Sequence, residues 1–285
     1  DMDKDSVSEH QYSRLILATG ASPKRLGISG EDGRNVFHVK SLEDGHGIKK
    51  FIDEEKPKKA LIIGGGYIGM EMCEALKNNA IATTMLHREP LPMSGLELET
   101  RKAVLSELTR NGIEFIANTQ TKTMRTDTTN KVVEVGTNKG SFQTDLVILS
   151  LGVQPNVGFC SSAKIRLGSY GGIVTDQRQA TSVDDIYAAG DCCEVKNLVN
   201  NKWMYIPLAT TASKQGWVAG ENAGGGRAVF KGVIRAIAVK VFDLEVAQVG
   251  ISSDEAKKSG FDAVVEQITG DSKISFFPGN TKVTI

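Results

Sequence analysis

The stretch "ALIIGGGYIGMEMCEALKNN", Ala60 to Asn79, decides how the chain is read. Ala60 to Ile63 form a short, continuous apolar run bounded by glycine, the pattern of a buried strand. Gly64-x-Gly66-x-x-Gly69 follows at once, and Ile68, Cys73 and Leu76 then fall near one face of a helix. Strand, glycine turn and helix in that order give the motif a mechanism. The first glycine makes the turn, the second lets the backbone approach a pyrophosphate, and the third lets helix pack on strand. The free N–H groups at the helix start then face the phosphate charge. Dinucleotide binding is the expected role of Gly64, Gly66 and Gly69.

Downstream come a strand "IATTML", a helix through Val104, Leu105 and Leu108, and a strand "IEFI". Alternating strands and helices predict a parallel sheet covered on both faces. The second strand ends in His87-Arg88-Glu89, where an acid would take the ribose hydroxyls of NAD. A cation there suits the 2′-phosphate of NADP instead, while Glu89, two residues late, keeps NAD open. Upstream, Ser41 and Asp44 form a capping box that opens a helix. Between Thr119 and Leu149 the runs "KVVEVGT" and "SFQTDLVIL" predict a β-meander that feeds the last sheet strand.

That last strand has a twin. "SRLILATGASP" (Ser13–Pro23) and "DLVILSLGVQP" (Asp145–Pro155) both carry an apolar run into a Gly and reach Pro three residues later. The match predicts two copies of one domain type. Beyond Pro155, short strands are expected in "GGIVTD" and "DDIYAAGD", then a helix over "TTASKQGWVAGENAG" that closes at Gly224 to Gly226. The strands "EVAQVGI" and "DAVVEQI" should flank a short helix capped by Ser252 and Glu255, and "KVTI" has a strand pattern.

Composition narrows the function. Among the 285 residues, 34 Lys and Arg balance 34 Asp and Glu, which disfavours nucleic acid or an anionic membrane as the main partner. No apolar run is long enough to cross a bilayer and the opening is unlike a signal peptide, so a cytoplasmic protein is expected. Cys73, Cys160, Cys192 and Cys193 fit neither a zinc spacing nor a disulfide framework and read as reduced thiols; no metal site is expected.

Together "YSRLILATGASP", "IIGGGYIGMEMCEAL", "LSLGVQPN" and "TSVDDIYAAGD" resemble the FAD-dependent pyridine nucleotide-disulfide oxidoreductases. The nearest branch holds coenzyme A-disulfide reductases, persulfide reductases and NADH oxidases. The resemblance spans essentially the whole chain. It implies an α/β fold in which a Rossmann-like NAD(P)-binding domain (41–155) is inserted in a partial FAD-binding domain (1–40 and 156–225), followed by the start of an α+β dimerisation domain (226–285).

By this resemblance Gly64, Gly66, Tyr67, Ile68, Gly69 and Glu71 hold NAD(H) or NADP(H). Gly152 flanks the nicotinamide end, and His87 and Arg88 match the basic positions of NADPH-using members. Thr19, Gly20 and Gly190 lie on the FAD side, Asp191 takes the ribityl chain, and Leu208 and Ala209 lie by the isoalloxazine ring. Trp217 departs from the Arg common there.

The implied whole protein is a homodimeric NAD(P)H-dependent flavoprotein reductase that passes electrons to a small-molecule disulfide, persulfide or oxygen. The FAD glycine loop and redox cysteine would precede Asp1 and the tail is short, so the chain is expected to be truncated at both ends. No residue is assigned a catalytic role, and the chain alone should bind nicotinamide cofactor without turnover. Adjacent Cys192 and Cys193 are read as small buried residues rather than a replacement redox centre. The alternative is a nucleotide-binding module or sensor with no redox turnover.

Overall fold

The computed structural model describes residues 7–285. The chain begins with β1 (Leu15–Leu17), β2 (Ala21–Pro23) and β3 (Val36–His38), then α1 (Leu42–Glu55), β4 (Lys59–Ile63), α2 (Tyr67–Asn78), β5 (Ala82–Leu86), α3 (Leu98–Arg110) and β6 (Glu114–Ile116). β7 (Thr121–Thr126), β8 (Val132–Thr137) and β9 (Gly140–Gln143) form the expected meander, and β10 (Leu146–Leu149) closes the sheet. That sheet has five parallel strands in the order β3-β10-β4-β5-β6. β4 runs out through α2 to one side while β10 lies on the other, so the strand order reverses between β4 and β10 and leaves a crevice at their carboxyl ends.

Alternation of side chains divides the core in two. Ala60, Ile62, Met85, Leu146 and Ile148 face the helices and pack with Met70, Cys73 and Leu76 of α2 and Val104 and Leu108 of α3. Leu61, Ile63, Leu86, Val147 and Leu149 face the meander, against Met124, Val132 and Val135. On α2 the buried stripe is Gly69, Met70, Cys73 and Leu76; Ile68, expected on that face, is half-buried because it stands one position off the stripe. Ser41 and Asp44 form the expected reciprocal cap of α1.

The twin stretches meet. After β10 the chain enters β11 (Val153–Pro155), which pairs antiparallel with β2, Ala21 opposite Pro155 and Pro23 opposite Val153. Each strand is preceded by a left-handed glycine, Gly20 (φ 66°) and Gly152 (φ 81°). Asn156 fastens the pair: its amide donates to the Thr19 carbonyl (2.9 Å), and its side-chain oxygen accepts from the Ser22 hydroxyl (2.8 Å). The chain then returns to the first half, where β12 (Ile186–Ala188) pairs parallel with β1. In chain order the five-stranded sheet thus lies between the paired strands β1 and β12.

β13 (Val195–Lys196) and β14 (Trp203–Met204) precede α4 (Ala209–Ala223), which ends at Gly224 as expected. "GGIVTD" makes only isolated bridges, Ile173 with Leu167 and Cys193, because loop rather than a continuous strand lies alongside it. The last residues form a hairpin of β15 (Ala236–Val241) and β16 (Leu244–Val249), then α5 (Ser253–Lys258) with its Ser252 and Glu255 cap, and a small pair of β17 (Thr269–Asp271) and β18 (Lys282–Thr284). "DAVVEQI" is not a strand. Val264 and Val265 stand exposed there with no neighbouring strand, and pairing starts only at Ile268, which exchanges backbone hydrogen bonds with Ile285 just ahead of β17.

Asn35, fully buried, joins the segment before β3 to both β8 and β10. Its amide donates to the carbonyls of Val132 and Asp145 (both 2.8 Å), and its oxygen accepts from the Val132 N–H (2.7 Å). Asn35→Ala strands these backbone groups away from water, so chemical denaturation should show a loss of about 3 kcal/mol.

Candidate functional site

The glycine loop lies in the crevice, and each glycine has its own steric reason. Gly64 has φ 112°, and a Cβ there would sit 2.1 Å from the Ser150 carbonyl oxygen at the end of β10. At Gly69 a Cβ would lie 2.4 Å from the Gly64 carbonyl oxygen, which blocks the seating of α2 on β4. At Gly66, the N-cap of α2, a Cβ meets nothing within 4 Å. Turn, helix contact and open approach therefore fall on the three glycines in the order a pyrophosphate site needs. Tyr67 and Ile68 follow at the helix start, where N–H groups have no acceptor within the helix, and Glu71 is exposed one turn on.

The end of β5 wraps this loop. The His87 ring points inward: its Nδ1 accepts from the Gly65 N–H (3.0 Å), and Nε2 is buried without a partner. Burial, with Arg101 and Arg88 nearby, lowers its pKa against the opposing pull of Glu89, so His87 stays a neutral imidazole. His87 is thus a prop for the loop rather than a surface cation. Arg88 is exposed beside it. Glu89 is half-buried and its carboxylate meets the Arg101 guanidinium at 3.0 Å.

A second cavity of about 430 Å3 opens where the halves meet, lined in part by Gly20, Gly190, Asp191, Pro207 and Ala209. Leu208 caps α4 and Ala209 begins it, so the free N–H groups of that helix start lie at the cavity. Gly20 has open space around it, and Gly190 meets only the Ala212 methyl at 3.6 Å. Thr19 is turned toward the strand pair, its hydroxyl donating to the Asn156 carbonyl (2.7 Å). Asp191 accepts from Lys40, at the end of β3, at 2.9 Å. Lys40, Asn156 and Arg101 escape sequence reading because their roles depend on segments more than 100 residues away or on a fold-back of one loop. Only Asn156, directly after the repeated Pro, carries a local signal.

The four cysteines are buried and free. The sulfurs of Cys192 and Cys193 are 3.8 Å apart, and Cys192 donates to the Ala189 carbonyl (3.3 Å). Its hydrogen bond to Cys192, with burial, pushes the Cys193 thiol well above the ordinary range, and burial pushes Cys73 up to about 12. Thiols raised in this way pack as small apolar groups; Cys192 alone goes the other way, lowered to about 6 by its hydrogen bond with Cys193 and by Thr19 and Gly20 against the opposing effect of burial. Trp217 is exposed on α4, and nothing in the structure explains it.

The pattern of the pyridine nucleotide-disulphide oxidoreductases matches residues 1–216. The chain belongs to that family. It is 30% identical over 282 residues to an NAD(P)H sulfur oxidoreductase (CoA-dependent) of Pyrococcus abyssi, a match that covers 99% of this chain and 63% of that protein. Among solved structures it is similar to an NAD-dependent persulfide reductase from A. fulgidus, with TM-score 0.92, 33% identity, and 97% of this chain and 51% of that one covered. An engineered water-forming NADPH oxidase bound to NADPH matches with TM-score 0.89 and 25% identity, over 100% of this chain and 62% of that one. The chain therefore spans between half and two thirds of these relatives. Among the described residues no helix is long and apolar enough to cross a membrane.

Two measurements probe the site of this oxidoreductase-family chain. Gly64→Ala should cost on the order of 3 kcal/mol of stability through strain and clash. Gly66→Ala should cost no more than about 1 kcal/mol yet weaken nicotinamide-cofactor binding at least about tenfold, which calorimetry beside thermal melts would separate. For pH, the unfolded chain protonates His87 near pH 6.5 while the folded chain resists to lower pH. Stability is therefore intact above about pH 6.5 and falls as pH drops below it. His87→Asn, whose side-chain oxygen still accepts from Gly65, should flatten part of that slope in thermal melts; His38, also lowered by burial, keeps the remainder.

Proposed function

We propose that this chain is the greater part of an NAD(P)H-dependent flavoprotein reductase of a disulfide or persulfide, and that NADP(H) is its preferred nicotinamide cofactor. The observation that carries the cofactor assignment is the arrangement at the end of β5. Arg88 is exposed beside an open glycine loop, no carboxylate occupies the usual ribose position, and Glu89 is engaged by Arg101. The engineered NADPH oxidase, which carries adjacent Asp→Ala and Ala→Arg exchanges, lends support by the same chemical pattern of a non-acid followed by arginine.

The residues present fit both cofactors. Gly66 and the start of α2 would take the nicotinamide cofactor's pyrophosphate, with Tyr67, Ile68 and Gly152 along its length and Glu71 at the rim. On the other side Gly20 and Gly190 leave room, Asp191 has a carboxylate for ribityl hydroxyls, and the start of α4 at Leu208 and Ala209 offers N–H donors. Flavin, when bound, would supply a two-electron acceptor for hydride. This chain's residues bind and orient: Lys40 holds Asp191, Asn156 holds Thr19 and Ser22, and His87 holds Gly65. The names of the relatives support sulfur, persulfide or oxygen as acceptor classes. A homodimer is part of the proposal, supported by the exposed Val264, Ile268, Phe276 and Ile285 of the last segment.

Calorimetric titration with NADP⁺ and NAD⁺ tests the assignment. Arg88→Ala should weaken NADP⁺ roughly 5- to 30-fold and leave NAD⁺ nearly unchanged, since an exposed arginine–phosphate pair is partly screened. Equal loss for both cofactors would make Arg88 structural, and tighter NAD⁺ binding by the unaltered chain would overturn the NADP(H) reading.

A further inference from the structure

The segment from Arg88 to Glu97 folds back over the glycine loop, and one side chain from α3 organises it. Arg101 donates through Nε to the Pro92 carbonyl (2.8 Å) and through Nη2 to the Leu91 carbonyl (2.6 Å) and to Glu89 Oε2 (3.0 Å). Its side chain is only 18% exposed. Burial alone would raise the Glu89 carboxyl, but Ser94 and Arg101 outweigh it and hold the group below its ordinary range, hence ionised.

We infer that Arg101 sets cofactor preference without touching the cofactor, by holding the Glu89 carboxylate back from the adenosine ribose. The inference rests on the NADP(H) reading above and adds a second residue to it. Glu89 adjoins Arg88 at the carboxyl end of β5, where an acid accepts ribose hydroxyls and repels a 2′-phosphate. A freed Glu89 would compete with the phosphate for Arg88 and offer NAD(H) the acceptor it otherwise lacks. Held by Arg101, it does neither.

The rest of the segment is anchored independently. Met93, buried with φ 56°, donates its N–H to the Gly65 carbonyl at 2.8 Å. The Gly95 carbonyl accepts from Gln248 (3.2 Å) and Arg235 (3.4 Å). Removing the guanidinium therefore takes away the carboxylate's charged partner and leaves it only Ser94, while the backbone remains tied at two other points. That separation distinguishes a positioning residue from a merely structural one.

The test is calorimetric titration of the 285-residue chain with NADP⁺ and with NAD⁺. Arg101→Met should lower the ratio of NADP⁺ to NAD⁺ affinity about tenfold, mostly through weaker NADP⁺ binding. Glu89→Gln added to Arg101→Met should restore the ratio to near its original value, because the displaced group no longer carries charge. Equal weakening of both cofactors by Arg101→Met, or a double variant that stays as unselective as the single one, would overturn the inference. Should Arg101→Met melt too low to titrate, Arg101→Gln keeps a donor for the loop carbonyls without the charge, and the same two outcomes decide. The inference is judged on the change in ratio between variants. The NADP(H) reading is judged on the ratio of the unaltered chain, so either can fail alone.

Discussion

The contact of Gly64 with the Ser150 carbonyl is the constraint on which the rest of the site depends. Two parallel strand ends approach so closely that a single methyl group would collide at 2.1 Å. The approach turns the chain sharply out of β4, and Gly69 then seats α2 against the Gly64 carbonyl. With α2 fixed, its first N–H groups point into the crevice rather than into a neighbouring element. The sheet core, apolar on both faces, gives the stiffness that keeps those donors in place without a ligand.

The second half of the molecule is joined to this one by a repeat of the same device. Gly20 and Gly152 turn two similar strands into β2 and β11, which then lie side by side. Asn156 closes the junction with its side chain and backbone, between the glycine-loop crevice and the cavity beside Asp191. Lys40 crosses between them as the one charged link from the sheet to Asp191 among the described residues.

Much of this was legible in the sequence, where the signal was local. The glycine loop, the capping boxes at Ser41 and Ser252, the meander and the twin exit strands all depend on residues a few positions apart, and those elements formed. Orientation was not legible. His87 and Arg88 are adjacent and both basic in type, yet alternation along the strand end turns one ring into the core and leaves the other side chain in solvent. Glu89 looks like a ribose acid until Arg101, twelve positions on and on another element, is brought over it. "DAVVEQI" has strand chemistry but no partner strand beside it, and propensity without pairing makes no strand.

The β15–β16 hairpin belongs to the same cooperative unit as the glycine loop, although it is remote in sequence. Val239, Val241, Phe242 and Val246 enter the hydrophobic cluster of α2 and α3. Polar ties at Glu74–Lys240 and Glu107–Asp243, with the shared Gly95 carbonyl, close the seam. Opening that seam exposes the back of the helix whose first N–H groups lie at the glycine-loop crevice. Protection of hairpin amides from hydrogen exchange is therefore linked to occupancy of the crevice: a ligand that holds α2 in place also slows the opening of strands it never meets.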